Sequence, residues 1–238
     1  MTKLSPSFLI LTLGLAACET TSSADLKTSG IDAEILASAS SGDSTTVTAY
    51  LYPGGDDDPF NRVELNNGDA LYAEVNGMRS KMSERGSGTY ETSFATAAAD
   101  TLFTVSLERA LEEDKDAPNS TATLPAPFDI GALTKTTFSR AEDLVVTWSP
   151  SGSGDNMDIE VDGDCISSPT GNFTVSGDPG TFTIAANELE SFDSQNPESC
   201  AATITVRRMR AGSADAALNQ ESSFNAQQIR NIGYTSDP

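Results

Sequence analysis

The chain has 238 residues, a formal net charge of −21 at pH 7 and no histidine. Without histidine it lacks the residue needed for Ser-His-Asp or Cys-His catalysis, for His-ligated zinc and for the usual proton shuttle at neutral pH. The acidic charge opposes long-range attraction to nucleic acid and to anionic lipid. The favoured interpretation of this charge is solubility, and the alternative is attraction of divalent cations or basic partners.

The N-terminal residues have the features of an export signal. Lys3 supplies a positive charge, and residues 4–15 form an apolar stretch followed by small residues. The stretch is about 12 residues long, too short for a helix to cross ~30 Å of hydrocarbon. A positive charge, a short apolar core and small residues in this order predict export and cleavage.

The run Leu-Ala-Ala-Cys at residues 15–18 resembles the lipobox of bacterial lipoproteins. The resemblance implies a signal peptide over residues 1–17, acyl chains such as palmitate on Cys18, and attachment to the cell envelope. Two or more acyl chains anchor a protein stably, whereas one binds only marginally. By the same resemblance, Glu19 in place of Asp favours the outer membrane over the inner. The alternative is an ordinary cleaved signal peptide with an unrelated cysteine.

If Cys18 is lipidated, Cys165 and Cys200 are the cysteines that remain. Two cysteines cannot build a Cys₄ metal site, and in an exported protein we expect them to form a disulfide. The two cysteines are 35 residues apart in the sequence. For a loop of that length, chain entropy alone predicts a stabilisation of ~3.8 kcal/mol.

Residues 18–30 are rich in Thr, Ser and Ala and show no apolar period, which predicts a lipidated, flexible tether of roughly 20 Å. From residue 31 the apolar residues recur with a period of two, which predicts strands. Turn residues at intervals of about 8 to 12 are typical of a β-sandwich. Residues 31–117 are therefore predicted to form an immunoglobulin-like sandwich. The predicted strands are 31–37, 46–52, 63–65, 70–75, 90–94 and 102–107, with 63–65 and 70–75 forming a hairpin across Asn66-Asn67-Gly68.

Prolines concentrate in residues 118–127, which predicts a semi-rigid linker between two domains. The alternative is a single domain in which these prolines bound an edge strand. Residues 128–238 return to the period of two. The predicted strands there are 144–148, 157–161, 173–175, 181–184, 202–209 and 226–234.

The sequence LVVTWSP at residues 144–150, followed by residues 157–161, resembles strands B and C of a fibronectin type III domain. Residues 203–208 and 228–234 are similar to its strands F and G. The resemblance implies that Cys165 and Cys200 join the end of strand C to the start of strand F. We therefore expect an all-β chain with two tandem immunoglobulin-like β-sandwiches, the second fibronectin III-like.

The densest carboxylate cluster is Asp56, Asp57 and Asp58. Ca²⁺ prefers several oxygen ligands from a flexible loop, so this run is a candidate metal site, although a solvated loop tip is the favoured interpretation. Residues 158–164 begin like an EF-hand loop, but Pro169 stands where a bidentate Glu is needed. The alternation of apolar and acidic residues there favours a strand.

Arg207, Arg208 and Arg210 form a basic spot in this acidic chain. Neighbouring residues of a strand point to opposite faces, so Arg207 and Arg208 cannot form one ligand patch. We expect local salt bridges instead. Trp148 is expected to fill the core of the second sandwich.

These observations favour a non-enzymatic, lipid-anchored envelope protein that binds, adheres or scaffolds. Its partner is expected to be an envelope protein or a glycan, with no nucleic acid and no cofactor. Two alternatives remain open. One is a Ca²⁺-dependent binding module that uses the Asp56–Asp58 loop, and the other is a hydrolase that uses a pair of carboxylates.

Overall fold

Strands that bury every second residue dominate the fold, because a period of two places one face of each strand against a core. The structure, a computed structural model, describes residues 20–40, 42–55, 60–111 and 114–238. None of the helices formed by these residues is long and apolar enough to cross a membrane.

The first sandwich has two facing layers, ordered β7-β8-β3-β2 and β6-β5-β9-β10. Their inner faces enclose a core that includes Leu51, Val75 and Phe103. This arrangement confirms the predicted all-β, immunoglobulin-like fold. The strands are β1 (Thr20–Ser22), β2 (Ile31–Ala39), β3 (Thr45–Pro53), β4 (Arg62–Glu64), β5 (Ala70–Val75), β6 (Met78–Lys81), β7 (Ser83–Gly86), β8 (Thr89–Phe94), β9 (Leu102–Glu108) and β10 (Ala117–Thr123).

The second sandwich has layers ordered β11-β13-β16 and β15-β14-β17-β18. Trp148 lies in its core with Ile159 and Val206, as predicted. The residues that resemble an EF-hand form β14, so the strand interpretation is confirmed. The strands are β11 (Asp129–Ile130), β12 (Thr137–Ser139), β13 (Leu144–Ser149), β14 (Asn156–Asp162), β15 (Asn172–Val175), β16 (Thr181–Ile184), β17 (Cys200–Ala211) and β18 (Ser223–Asp237).

The hairpin of β17 and β18 belongs to both sandwiches. β18 pairs with β17 along most of its length. On its other side it pairs in parallel with β2, from Ser223 opposite Glu34 to Gln228 opposite Ala39. One continuous sheet, β15-β14-β17-β18-β2-β3-β8-β7, therefore runs through both halves of the molecule.

The tip of this hairpin closes one side of the first sandwich. Leu218 and Phe224 are buried in the first core, although they follow β17 in the chain. Ser213 and Thr121 of β10 exchange two backbone hydrogen bonds, both 2.8 Å long. Gly212 permits this approach, because a Cβ there would lie 2.2 Å from the carbonyl oxygen of Thr121. The hairpin thus covers β2 and β10, which would otherwise be the edges of the two layers of the first sandwich.

The N-terminal segment differs from the predicted flexible tether over residues 18–30. Within the described part, β1 pairs in parallel with β4, and short 3₁₀ turns follow at Ser23–Asp25 and Thr28–Gly30. Ser23 and Thr28 are buried. The prediction fails here because polar composition does not reveal that buried groups elsewhere in the chain bind this segment.

The predicted linker over residues 118–127 also differs from the structure. Ala117–Thr123 forms β10, paired antiparallel with β9, and the register shifts between Ala117 and Ser120. Pro118 lies at this shift, as expected for a residue without an N–H group. Residues 124–127 remain as the connection, and Leu124 is itself buried in the first core. The alternative in which proline bounds an edge strand describes β10 better.

The predicted hairpin across Asn66-Asn67-Gly68 is wrong in its pairing. β4 pairs with β1 instead, and β5 pairs with β6. The β5–β6 turn is Asn76-Gly77, where both residues have positive φ (50° and 77°), the conformation that Asn-Gly turns favour.

Phe224→Ala tests whether the hairpin is shared. Phe224 is 1% exposed, so its truncation is expected to cost about 3–5 kcal/mol. Because both cores contain parts of one hairpin, the two sandwiches are expected to unfold in one calorimetric transition that this variant lowers as a whole. Phe192→Ala is the control, since that residue is 78% exposed and should change stability by less than about 0.5 kcal/mol. Two transitions, with only one of them shifted by Phe224→Ala, would contradict the shared hairpin.

Candidate functional site

Two of the predicted sites lie outside the described residues. These are the lipidation site Cys18 and the carboxylates Asp56, Asp57 and Asp58. Lipidation and Ca²⁺ binding therefore stay predictions. Among the residues that the structure does describe, no group of three or more Cys, Asp or Glu side chains is arranged to hold a metal ion.

Cys165 and Cys200 form a disulfide, as predicted, with their Cα atoms 5.7 Å apart. Cys165 follows the end of β14, and Cys200 is the first residue of β17. The bond therefore joins neighbouring strands in the C-to-F position that the fibronectin III resemblance implied. It lies at the end of β17 that is farther from the first sandwich.

Buried Arg140 braces the loop that lies beside this disulfide, residues 185–199 between β16 and β17, here called the distal loop. Its Nε donates to Ser191 Oγ at 3.1 Å, and its Nη2 donates to the carbonyl oxygen of Glu198 at 2.9 Å. Nη1 reaches Ser236 Oγ of β18 at 2.8 Å. Because one guanidinium joins both halves of the loop to the sheet, the loop has a defined conformation.

Phe192 projects from the distal loop and is 78% exposed. Its backbone N–H donates to the carbonyl oxygen of Cys165 at 2.9 Å, so the disulfide region fixes the backbone that carries the ring. An exposed aromatic ring on a fixed backbone indicates a candidate binding residue, because proteins usually bury large apolar side chains or use them to bind.

The loop that carries this ring is rich in carboxylates. The distal loop contains Glu188, Glu190, Asp193 and Glu198 but no Lys or Arg. Hydrogen bonds from the N–H of Gln195 and from the side chain and N–H of Asn196 lower the pKa of Asp193, so this carboxylate is ionised at neutral pH. We call Phe192 and these carboxylates the distal face.

A shallow concavity lies against the distal face. Its lining includes Phe192, Asp193 and Glu198 of the distal loop together with Asp164 and Cys200. An apolar group with an acidic rim is complementary to a partner that has an apolar pocket and a basic edge. This face was not predicted from the sequence. The available signal was Phe192 itself, an isolated aromatic residue in the polar run 190–199.

Arg208 and Asp178 form a second polar cluster, at the connection between the sandwiches. Both side chains are fully buried, and Arg208 Nη2 lies 2.9 Å from Asp178 Oδ2. Arg208 also donates to the carbonyl oxygens of Ala126 and Pro150, at 2.8 Å and 2.6 Å. The guanidinium thus holds the connection between β10 and β11 against the second sandwich.

Asp178 is ionised in this cluster. Burial raises its pKa, but hydrogen bonds from Trp148 and Ser153 and the charge of Arg208 outweigh burial and hold the pKa below its usual value of 3.8. Trp148 Nε1 donates to Asp178 Oδ1 at 2.6 Å. This carboxylate is saturated with donors, so it supports the fold rather than general acid–base chemistry.

The neighbouring arginines make the local salt bridges that the sequence predicts. Arg207 lies on the outer face and pairs with Asp158 and Glu160. Arg210 pairs with Asp155 and, across the sandwich boundary, with Asp100; both distances are 2.7 Å. The prediction that these arginines do not form one ligand patch is confirmed.

No protein-family model matches the chain, and no curated protein matches it. Three solved structures that align with the chain have TM-scores below 0.5, so their likeness carries no argument about function. The adhesin InvE of Yersinia pseudotuberculosis aligns at TM-score 0.27 and 12% identity over 88% of this chain and 61% of that chain. The chicken CNTN1 FN1–FN3 domains align at 0.31 and 12% identity over 88% and 69%. A Salmonella alpha-2-macroglobulin aligns at 0.25 and 11% identity over 89% and 15%.

Arg208→Met is expected to be much more damaging than Arg207→Gln. The first variant leaves Asp178 buried without its cation, which typically costs 3–5 kcal/mol, whereas Arg207 makes partly exposed pairs worth about 0–1 kcal/mol. Urea unfolding followed by the fluorescence of Trp148, the single tryptophan, measures both. Equal losses in the two variants would refute the role assigned to the buried pair.

The double variant Cys165→Ala/Cys200→Ala is expected to lose ~3–4 kcal/mol of stability, because the unfolded chain gains freedom. The distal loop should then become sensitive to proteases, since the disulfide holds its base. Limited proteolysis with mapped cleavage sites, run beside reduced wild-type protein, provides the measurement. An intact loop and an unchanged unfolding midpoint in both samples would contradict this expectation.

Proposed function

We propose that this chain is a lipid-anchored protein of the bacterial envelope that binds another protein through the distal face and performs no catalysis. The observation that carries the proposal is the ring of Phe192, which is exposed and held on a backbone braced by a disulfide and by buried Arg140. Aromatic residues at the centre of an interface supply much of its binding energy when their backbone is already ordered.

The position of the distal face supports display away from an anchor. β18 begins at Ser223 beside the first sandwich and ends at Asp237 beside the distal loop. At about 3.3 Å per residue, this strand spans about 50 Å. Because the same strand pairs with β2, the two sandwiches hold a fixed relation, and the distal face stands at the end farther from the N-terminal segment.

Charge supports a basic protein partner. The distal loop is uniformly acidic, and the whole chain has a net charge of −21. Such a field accelerates encounter with a positively charged surface and disfavours acidic ones. A glycan fits less well, because sugar recognition favours broad aromatic platforms and aromatic residues make up 7% of this chain.

The arrangement of buried carboxylates supports a non-enzymatic role. Asp69 accepts bonds from Arg109 and Ser23, and Asp178 accepts bonds from Trp148 and pairs with Arg208. Catalytic carboxylates act on substrate through an accessible oxygen. These two groups are instead occupied by partners within the fold.

Cys18→Ser tests the anchor. The variant precursor is expected to remain without lipid and to leave the detergent phase, because the acyl chains supply the membrane affinity. Detergent phase separation and intact-mass measurement, with the wild-type protein in parallel, provide the readout. Continued partitioning of the variant with the membrane would overturn the anchor.

Photocrosslinking at the distal face tests the binding role. A photoreactive phenylalanine analogue at position 192 is expected to give a discrete protein adduct in intact cells, and the same analogue at Leu102, which is 51% exposed on the first sandwich, is the control. Neutralisation of the rim by Glu190→Gln and Asp193→Asn should reduce the adduct severalfold, as should high salt. Equal labelling at both positions, or labelling insensitive to rim charge, would overturn the proposal.

A further inference from the structure

We infer that the end of the first sandwich that carries Phe60 lies directly on the lipid surface, with the Phe60 ring in the boundary between headgroups and acyl chains. This inference rests on the proposed lipid anchor at Cys18. It goes beyond that anchor by assigning a membrane-contacting residue and an orientation to the folded part of the molecule.

The first step is the length of chain between the anchor and the fold. Thr20 already belongs to β1, where it pairs with Arg62. Consecutive Cα atoms are 3.8 Å apart, so the Cα of Cys18 is at most about 7.6 Å from that of Thr20. Each polar headgroup region of a bilayer is about 5–8 Å deep. An acylated Cys18 therefore brings β1 to the membrane surface.

The second step is that the described N-terminal segment is bound to the first sandwich and cannot extend as a flexible spacer. Arg109 has a fully buried side chain that pairs with Asp69 at 3.0 Å. Its Nη2 donates to the carbonyl oxygens of Ser23 and Leu26, at 2.8 Å and 3.0 Å, and its Nη1 donates to Thr28 Oγ1 at 3.1 Å. Releasing this segment would remove three acceptors from a buried guanidinium, which is unfavourable even though Asp69 remains as its partner.

The third step is the position of Phe60. β1 and β4 are parallel, so Thr20 and Arg62, the first residues of the two strands, lie at the same end of the pair. Phe60 is 74% exposed, and the neighbouring Asn61 accepts a hydrogen bond from Thr21 Oγ1 at 3.2 Å. Aromatic side chains favour the membrane interface, where the ring leaves water without entering the hydrocarbon centre.

The fourth step is the direction of the strands. β2 runs parallel to β18 and begins at Ile31, which pairs with Pro53 of β3. Pro53 therefore lies at the end of the first sandwich away from the second, and Arg62, two residues after Phe60, stacks on the neighbouring ring of Tyr52. Contact at Phe60 directs β18 away from the membrane and places the distal face at the outer end.

Zwitterionic vesicles are the appropriate probe. Asp56, Asp57 and Asp58 precede Phe60 in the chain, and the net charge is −21, so anionic headgroups would add repulsion unrelated to the ring. Wild-type lipidated protein, Phe60→Trp and the matched control Phe192→Trp are reconstituted into phosphatidylcholine vesicles with and without brominated acyl chains. Trp148, 3% exposed in the second core, provides a constant background.

Bromine is expected to remove about half of the emission contributed by Phe60→Trp, because a ring at the interface contacts acyl chains from one side. The emission of wild-type protein and of Phe192→Trp should not change. Quenching of Phe60→Trp no greater than that of Phe192→Trp, in protein that still floats with the vesicles, would overturn the seating of Phe60 and leave the anchor intact.

A separate measurement distinguishes failure of the anchor. Intact mass and vesicle flotation report lipid on Cys18 independently of fluorescence. Protein without lipid that does not float would overturn the anchor and with it this inference. Phe60→Trp combined with Cys18→Ser should be unquenched, since one aromatic ring is too weak to hold the protein on the membrane. Quenching in that double variant would show binding independent of the anchor and would also overturn the inference.

Discussion

The shared hairpin of β17 and β18 is the constraint on which the rest of the structure depends. Its strands complete a layer of the second sandwich, while Leu218 and Phe224 fill part of the first core. Each sandwich therefore supplies surface that the other needs to bury. This arrangement replaces a flexible joint with backbone pairing and gives the distal face a fixed direction relative to the N-terminal segment.

Three buried arginines organise the segments that strands do not. Arg109 binds the N-terminal segment, Arg140 binds the distal loop, and Arg208 binds the connection between the sandwiches. In each case the guanidinium binds at least one backbone carbonyl oxygen outside the strands, which its fixed, planar set of donors suits well. An acidic chain with few cations thus places several of them where irregular backbone must be held.

The strands were predictable where one face is buried, because alternation in β3, β13 and β14 records which side faces the core. The disulfide followed from the number of cysteines and the expectation of export. The pairing of β18 with β2 was not predictable, because polar and apolar alternation does not specify which distant edge a strand meets. The role of Arg109 and the exposure of Phe192 were not predictable either, because each depends on residues that are distant in the sequence.

The parallel pairing of β2 with β18 also affects how the chain reaches this structure. Ser222 Oγ accepts a hydrogen bond from the N–H of Ala33, 189 residues earlier in the sequence. Contacts of such separation form slowly, because a long loop must close before they stabilise anything. The first sandwich therefore cannot finish folding on its own as the chain emerges. Its edge and core are completed only when the β17–β18 hairpin has been synthesised, so we expect the two sandwiches to fold as one cooperative unit.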